Sequence, residues 1–141
     1  MTTSWRSDVR GSLYALLQTF DAAQSGLHQV YRARPGSFGS SPCAYVGGIS
    51  EALVHTSGVR QRNVTVEMVL VDVLSDNAET TDRMDDLTDA LLDALTADPH
   101  ATGTNTVQEP VSVEPVELDV GGTPYAAVVI SIRAAIQEAR I

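Results

Sequence analysis

Apolar residues recur with helical spacing in two parts of the chain. From residue 4 to about residue 20 they stand three or four positions apart, which predicts an amphipathic helix with a weak point at Gly11. A second helix is predicted from about residue 76 and ends before Pro99, which cannot continue it. Its apolar stripe is formed by Met84, Leu87, Leu91 and Leu95.

Strand patterns fill most of the remaining chain, at residues 27–34, 43–56, 60–75, 111–120 and 125–136. The third is apolar on both faces from its middle onward, so we expect it at the centre of the sheet. Pro115 places the fourth at an edge or a bulge, and residues 101–110 before it are interpreted as a loop. The pairs Gly47-Gly48 and Gly121-Gly122 predict a bulge and a hairpin turn.

The predicted order is one helix, three strands, a second helix and two strands. Short turns between neighbouring strands favour an α+β fold, with a mostly antiparallel or mixed sheet of about five strands packed with two helices. The 141 residues make one domain, which can bury roughly 68% of the surface that the unfolded chain exposes.

The net charge of −9 is unevenly distributed along the chain. Residues 1–62 hold six arginines and three carboxylates, whereas residues 63–141 hold three arginines and fifteen carboxylates. If these halves occupy different sides of the fold, they offer unlike surfaces for contacts between copies.

Residues 76–95 contain six aspartates and one glutamate against the single cation Arg83. Four of the acids form a stripe opposite the apolar one: Asp82, Asp86, Asp89 and Asp93. We interpret the stripe as a solvated helix face, with acids of the first turn stabilised by the helix dipole. A calcium loop is not indicated, because the required central glycine and final glutamate are missing.

No residues with the spacing of an active site are found in the sequence. Cys43 is the only cysteine, which excludes an internal disulfide, and we expect a buried thiol because no histidine or asparagine partner can be identified. We therefore predict no catalytic, cofactor-binding or metal-binding residues and no enzymatic activity. No apolar run reaches the length of a membrane span, and no signal peptide is recognised, so no membrane partner is expected.

Four segments carry a family resemblance: CAYVGGISE, VRQRNVTVEMVLV, DNAETTDRMDDLTDALLDALTADPH and a strand pair ending in YAAVVISIRAAI. In this order they resemble the tail terminator, or tail completion, proteins of long-tailed bacteriophages, particularly those of actinobacterial hosts. The resemblance covers roughly residues 8–136 and lies in segment order and texture, since the family has no short diagnostic motif.

The resemblance implies a subunit of a hexameric ring at the head-proximal end of the phage tail tube. Such a ring ends tube polymerisation and joins the tail to the head connector. The implied partners are further copies of the chain, the tail tube protein and the connector or stopper protein, and the implied location is the virion neck after synthesis in the host bacterial cytoplasm. DNA would pass without specific binding, which an acidic surface favours because DNA is itself negative.

Arg60 and Arg62 are candidate interface residues, together with the Asp82, Asp86, Asp89 and Asp93 stripe of a neighbouring copy. The two arginines share one face at the start of the third strand, and the other interpretation is a solvated strand end.

Two other functions remain open from the sequence. A head-completion or stopper protein of the neck would have similar size and acidity. A small cytoplasmic enzyme or ligand-binding α+β domain would have a pocket built from Tyr31, Tyr45, Arg60 and Arg62.

Overall fold

The computed structural model describes residues 5–24, 27, 29–38, 42–56, 59–73, 78–97 and 107–139. The elements are α1 (Trp5–Gln24), β1 (Gln29–Tyr31), β2 (Cys43–Thr56), β3 (Val59–Val73), α2 (Ala78–Ala97), β4 (Val107–Val120) and β5 (Thr123–Ala139). The predicted α+β class and the predicted order of elements are both confirmed.

The five strands form one mixed sheet in the order β1-β2-β3-β5-β4. Only the β1–β2 pair is parallel, and the other three pairs are antiparallel. The apolar strand β3 lies at the centre, as its two apolar faces predict. Strand β4 lies at an edge of the sheet and pairs with β5 alone. Pro115, which has no backbone N–H to donate, is tolerated at such an edge.

Both helices pack on one face of the sheet and enclose the main core. Helix α1 contacts β1 and β2, and helix α2 contacts β3 and β4. Helix α1 continues through Gly11 without interruption. It buries four apolar residues along one side: Val9, Leu13, Leu17 and Phe20. Helix α2 buries the stripe predicted from its sequence, and the sheet contributes alternate residues such as Val66, Met68 and Leu70. The period of each element therefore determines which side chains meet in this core.

The opposite face of the sheet carries a smaller apolar cluster. Its buried members are Cys43, Tyr45, Val69, Val71 and Ala127. The segment after β1 crosses this face and places Phe38 on it, with ring centroids 6.1 Å from Tyr45 and 4.9 Å from Tyr125.

Two glycine pairs shape the strand ends as predicted. The β2–β3 register shifts between Val46 and Ile49, so Gly47-Gly48 forms a bulge. Gly121 and Gly122 have φ angles of 62° and 83°, as a type I′ hairpin turn requires, and join β4 to β5.

Several predicted strand bounds are wrong. Strand β5 covers Thr123–Ala139 rather than 125–136. Strand β1 covers only Gln29–Tyr31, because its parallel pairing with β2 ends there. Residues 107–110, which were predicted to belong to a loop, form the start of β4 because they pair with β5. A register shift between Pro110 and Ser112 accommodates the proline in this ladder. The predicted helix ends at residue 4 and at Pro99 lie outside the described residues.

Candidate functional site

The predicted acidic stripe is present on the exposed face of α2. Asp82, Asp86, Asp89 and Asp93 are all exposed, and Asp85 beside them is exposed as well. Among the residues that the structure describes, none forms an ion pair with these four aspartates. The stripe therefore presents a dense negative charge to its surroundings.

Arg83, the only cation of α2, does not neutralise this stripe. Its Nε and Nη2 atoms donate hydrogen bonds of 2.9 and 2.6 Å to Oδ2 of Asp72 at the end of β3. Asp72 is fully buried, and its other oxygen, Oδ1, accepts a 2.8 Å hydrogen bond from the backbone N–H of Val73. Arg83 thus attaches α2 to the central strand.

Positive charge collects at the β1–β2 side of the sheet. Three arginines lie there, on α1 and just after β1: Arg6, Arg10 and Arg32. Arg34 follows them in the chain, but its guanidinium reaches the carbonyl of Asp119 in β4. The carboxylates described at this side are Asp8 and Glu51, and Glu51 forms an ion pair with Arg6. This edge is therefore net positive.

The opposite side of the sheet is strongly negative. Six exposed carboxylates of α2 lie there with three of β4, which are Glu114, Glu117 and Asp119. The uneven charge of the sequence therefore becomes a separation across the sheet, from a basic β1–β2 edge to an acidic side formed by α2 and β4.

Arg60 and Arg62 lie near the start of β3, opposite His55 and Leu53 of β2 in the sheet register. On their other side the register partners are Glu138 and Ile136 of β5. The side chains of both arginines lie outside the described part of the chain. Their proposed contact with a neighbouring copy stays a prediction.

A cleft of about 460 Å³ opens beside the β2 bulge. Its lining combines apolar and charged residues: Arg10, Ala33, Arg34, Tyr45, Val46, Gly47, Gly48, Glu67 and Val69. The register of β2 against β3 brings Tyr45 opposite Val69, and the segment after β1 adds Arg34.

Tyr45 lies in the wall of this cleft and is only 4% exposed. Its ring stacks against Phe38, and its hydroxyl has no hydrogen-bond partner among the described residues. Burial raises the pKa of Tyr45, the positive charge of Arg34 lowers it, and the negative charge of Glu67 raises it.

The bulge glycines keep the cleft open. A Cβ atom at Gly47 would stand 3.3 Å from Cβ of Glu67 and 3.5 Å from Cγ2 of Val69. Arg10, which also lines the cleft, holds the bulge in place, since its Nη1 donates hydrogen bonds of 2.9 and 3.0 Å to the carbonyls of Val46 and Gly47. The cleft is therefore held in shape by backbone contacts.

The structure brings together only some of the residues of the ligand pocket that the sequence left open. Tyr31 and Tyr45 do join one aromatic cluster, since both rings approach Phe38. Arg62, however, is seven residues along β3 from Val69, the register partner of Tyr45, which is about 23 Å of strand. The arginines of β3 are thus remote from the cleft, and Arg34, Gly47 and Glu67 take their place. Tyr45 and the glycine pair within β2 were the sequence signals for this cleft.

Cys43 is buried in the aromatic cluster, and burial together with the charge of Asp72 raises the pKa of its thiol to about 11. In the described part of the chain, no group of three or more His, Cys, Asp or Glu side chains is arranged to hold a metal ion. Neither described helix has the length and hydropathy of a membrane span.

No protein-family model matches the chain, and no curated protein matches it at a significant level.

Proposed function

We propose that this chain is a tail terminator of a long-tailed phage, a structural subunit that forms a ring on the head-proximal end of the tail tube. The observation that carries the proposal is the separation of charge across the sheet, from the basic β1–β2 edge to the acidic side of α2 and β4. The α+β fold with its order of elements agrees with the resemblance of the sequence to that family.

A ring requires that one surface of each copy meets a different surface of the next. Opposite charges on two sides of one subunit favour this head-to-tail contact over a symmetric dimer, in which like charges would meet. In this arrangement the stripe of Asp82, Asp86, Asp89 and Asp93 meets arginines of the next copy or lies beside the channel. Next to passing DNA, the unneutralised carboxylates prevent adhesion, because DNA carries about one negative charge per 1.7 Å of its axis.

The mass of the purified particle is the first test. A hexamer weighs about 90 kDa, six times the 15.0 kDa of one chain. Sedimentation at low and high salt should show this particle and its weakening as salt screens the contact. A monomer at all protein concentrations, with or without tail tubes, would refute the ring.

Two double substitutions, each of which removes two carboxylate charges, distinguish a specific contact from a general effect of net charge. Asp86→Asn with Asp89→Asn removes two charges from the stripe, and Glu114→Gln with Glu117→Gln removes two exposed charges from β4. We expect the first pair to alter ring formation or tube binding more than the second. Equal effects would exclude the stripe as a specific contact.

Binding to isolated assemblies distinguishes the terminator from a head-completion or stopper protein. A terminator should bind the ends of polymerised tail tubes and halt their elongation in a polymerisation assay. Binding to the portal-side ring, with no effect on tube length, would instead assign the chain to the neck stopper role.

A further inference from the structure

The cleft beside the β2 bulge has the size and lining of a small-molecule site. Its volume of about 460 Å³ falls within the range of roughly 300 to 1,000 Å³ that such sites have. The lining is apolar at Ala33, Val46 and Val69, and four further side chains are polar or charged: Arg10, Arg34, Tyr45 and Glu67. We propose that this cleft binds a small zwitterion of the α-amino acid class, with its carboxylate on Arg34 and the Tyr45 hydroxyl and its ammonium group on Glu67.

Arg34 and Tyr45 supply hydrogen-bond donors for which the described residues offer few acceptors. The guanidinium of Arg34 makes one long hydrogen bond among the described residues, 3.3 Å to the carbonyl of Asp119. Its other N–H groups are directed to no described acceptor, and arginine has five in total. The Tyr45 hydroxyl is buried and also lacks a described partner, although buried polar groups are normally hydrogen-bonded. An anionic oxygen in the cleft would satisfy both groups.

Glu67 determines which anions are accepted. It is exposed at the cleft wall and forms no ion pair with a described residue. A bare anion such as phosphate gains from Arg34 and Arg10 but is repelled by Glu67. A ligand with an ammonium group near its carboxylate can pair with both charges, so the cleft selects zwitterions.

Gly47 provides the space for this ligand. A side chain at this position would project towards Glu67 and Val69, where a Cβ already makes contacts of 3.3 to 3.5 Å. Gly48 has nothing within 4 Å of a corresponding Cβ, so its side of the bulge is open. Gly48 therefore leaves the entrance of the cleft open, and Gly47 forms a part of its floor that has no side chain.

Ligand-observed NMR with the free protein amino acids, supplied singly at millimolar concentration, tests the proposal on the full chain. At least one should bind saturably, and its N-acetyl and carboxamide derivatives, which lack the ammonium or the carboxylate, should bind about tenfold more weakly or worse. Inorganic phosphate serves as the bare-anion control. Absence of saturable binding by every amino acid would overturn the proposal, as would phosphate binding as tightly as the best of them.

Single substitutions locate the bound molecule. Tyr45→Phe should weaken binding at least about tenfold, because it removes one donor to a charged group. Tyr31→Phe is the matched control, since its hydroxyl donates to Gln29 outside the cleft lining, and should bind as the wild type does. Glu67→Gln should remove the advantage of the amino acid over its N-acetyl derivative. Equal affinities for the Tyr45 and Tyr31 variants would place the ligand elsewhere.

Discussion

Replacing Arg83 by Met isolates the ion pair that joins α2 to the central strand. Methionine keeps an unbranched apolar chain on the helix and removes the guanidinium. The carboxylate of Asp72 then loses two hydrogen bonds, of 2.9 and 2.6 Å, and keeps that of the Val73 N–H as its remaining contact among the described residues. Because Asp72 is fully buried, its charge cannot simply return to bulk water.

The size of the effect follows from the exposure of the two partners. Removing one member of a buried ion pair costs about 3 to 5 kcal/mol, whereas an exposed pair contributes at most about 1 kcal/mol. The Asp72 side chain is 1% exposed, but that of Arg83 is 46% exposed, so water can approach the oxygen that Arg83 leaves. We therefore expect a loss of about 2 to 3 kcal/mol in the free energy of unfolding.

Urea denaturation followed by circular dichroism, at one fixed protein concentration, measures this loss. With a urea dependence of about 2 kcal/mol per molar, the midpoint should fall by about 1 to 1.5 M. Arg34→Met is the control, because Arg34 is exposed and makes a single long hydrogen bond among the described residues. A double-mutant cycle with Asp72→Asn should give a coupling above about 0.5 kcal/mol. The reasoning fails if Arg83→Met and Arg34→Met agree within about 0.5 kcal/mol.

Three further predictions test the core, the buried thiol and the candidate interface. Leu70→Ala should cost about 2 to 5 kcal/mol and Val73→Ala much less, because Leu70 is fully buried and Val73 is 45% exposed; equal urea midpoints would contradict the core assignment. Burial raises the pKa of the Cys43 thiol from 9.0 to about 11, so between these values the folded chain keeps a proton that the unfolded chain loses. The free energy of unfolding should therefore fall as pH rises through this range, and it should fall less in Cys43→Ala. Parallel pH profiles of the two proteins would exclude this linkage. Arg60→Glu with Arg62→Glu should weaken assembly in sedimentation while circular dichroism stays native; unchanged assembly would assign both arginines to a solvated strand end.

Local periodicity was enough to predict the helices and the order of the strands. The stripe of α2 is a property of adjacent turns, so its buried and exposed sides follow from spacing alone. The strand pairing is harder to predict from local periodicity. Strand β4 begins at Val107 because β5 continues opposite it as far as Ala135, and no local pattern around Pro110 indicates this pairing. Likewise β1 ends where its partner in β2 ceases to pair, although its sequence still alternates.

The cleft could not be predicted because its parts meet only through the sheet register. Tyr45 and Glu67 lie on neighbouring strands, and a slip of one residue would move either side chain to the other face. Arg34 arrives from the segment after β1, which has no repeating pattern. The sequence did single out Tyr45 and the Gly47-Gly48 pair, but it joined Tyr45 with arginines from the far end of β3.

The position of β5 between β3 and β4 has a consequence for how the chain folds during synthesis. A ribosome completes β2, β3 and α2 before it makes β5. One edge of the apolar strand β3 can pair with β2 at once, but its other edge has no partner until β5 emerges. The long sequence separation of these contacts predicts slow closure of the sheet, and an exposed apolar edge favours aggregation in the interval. Chains shortened before Thr123 should therefore accumulate in inclusion bodies, even though they retain both helices and four of the five strands.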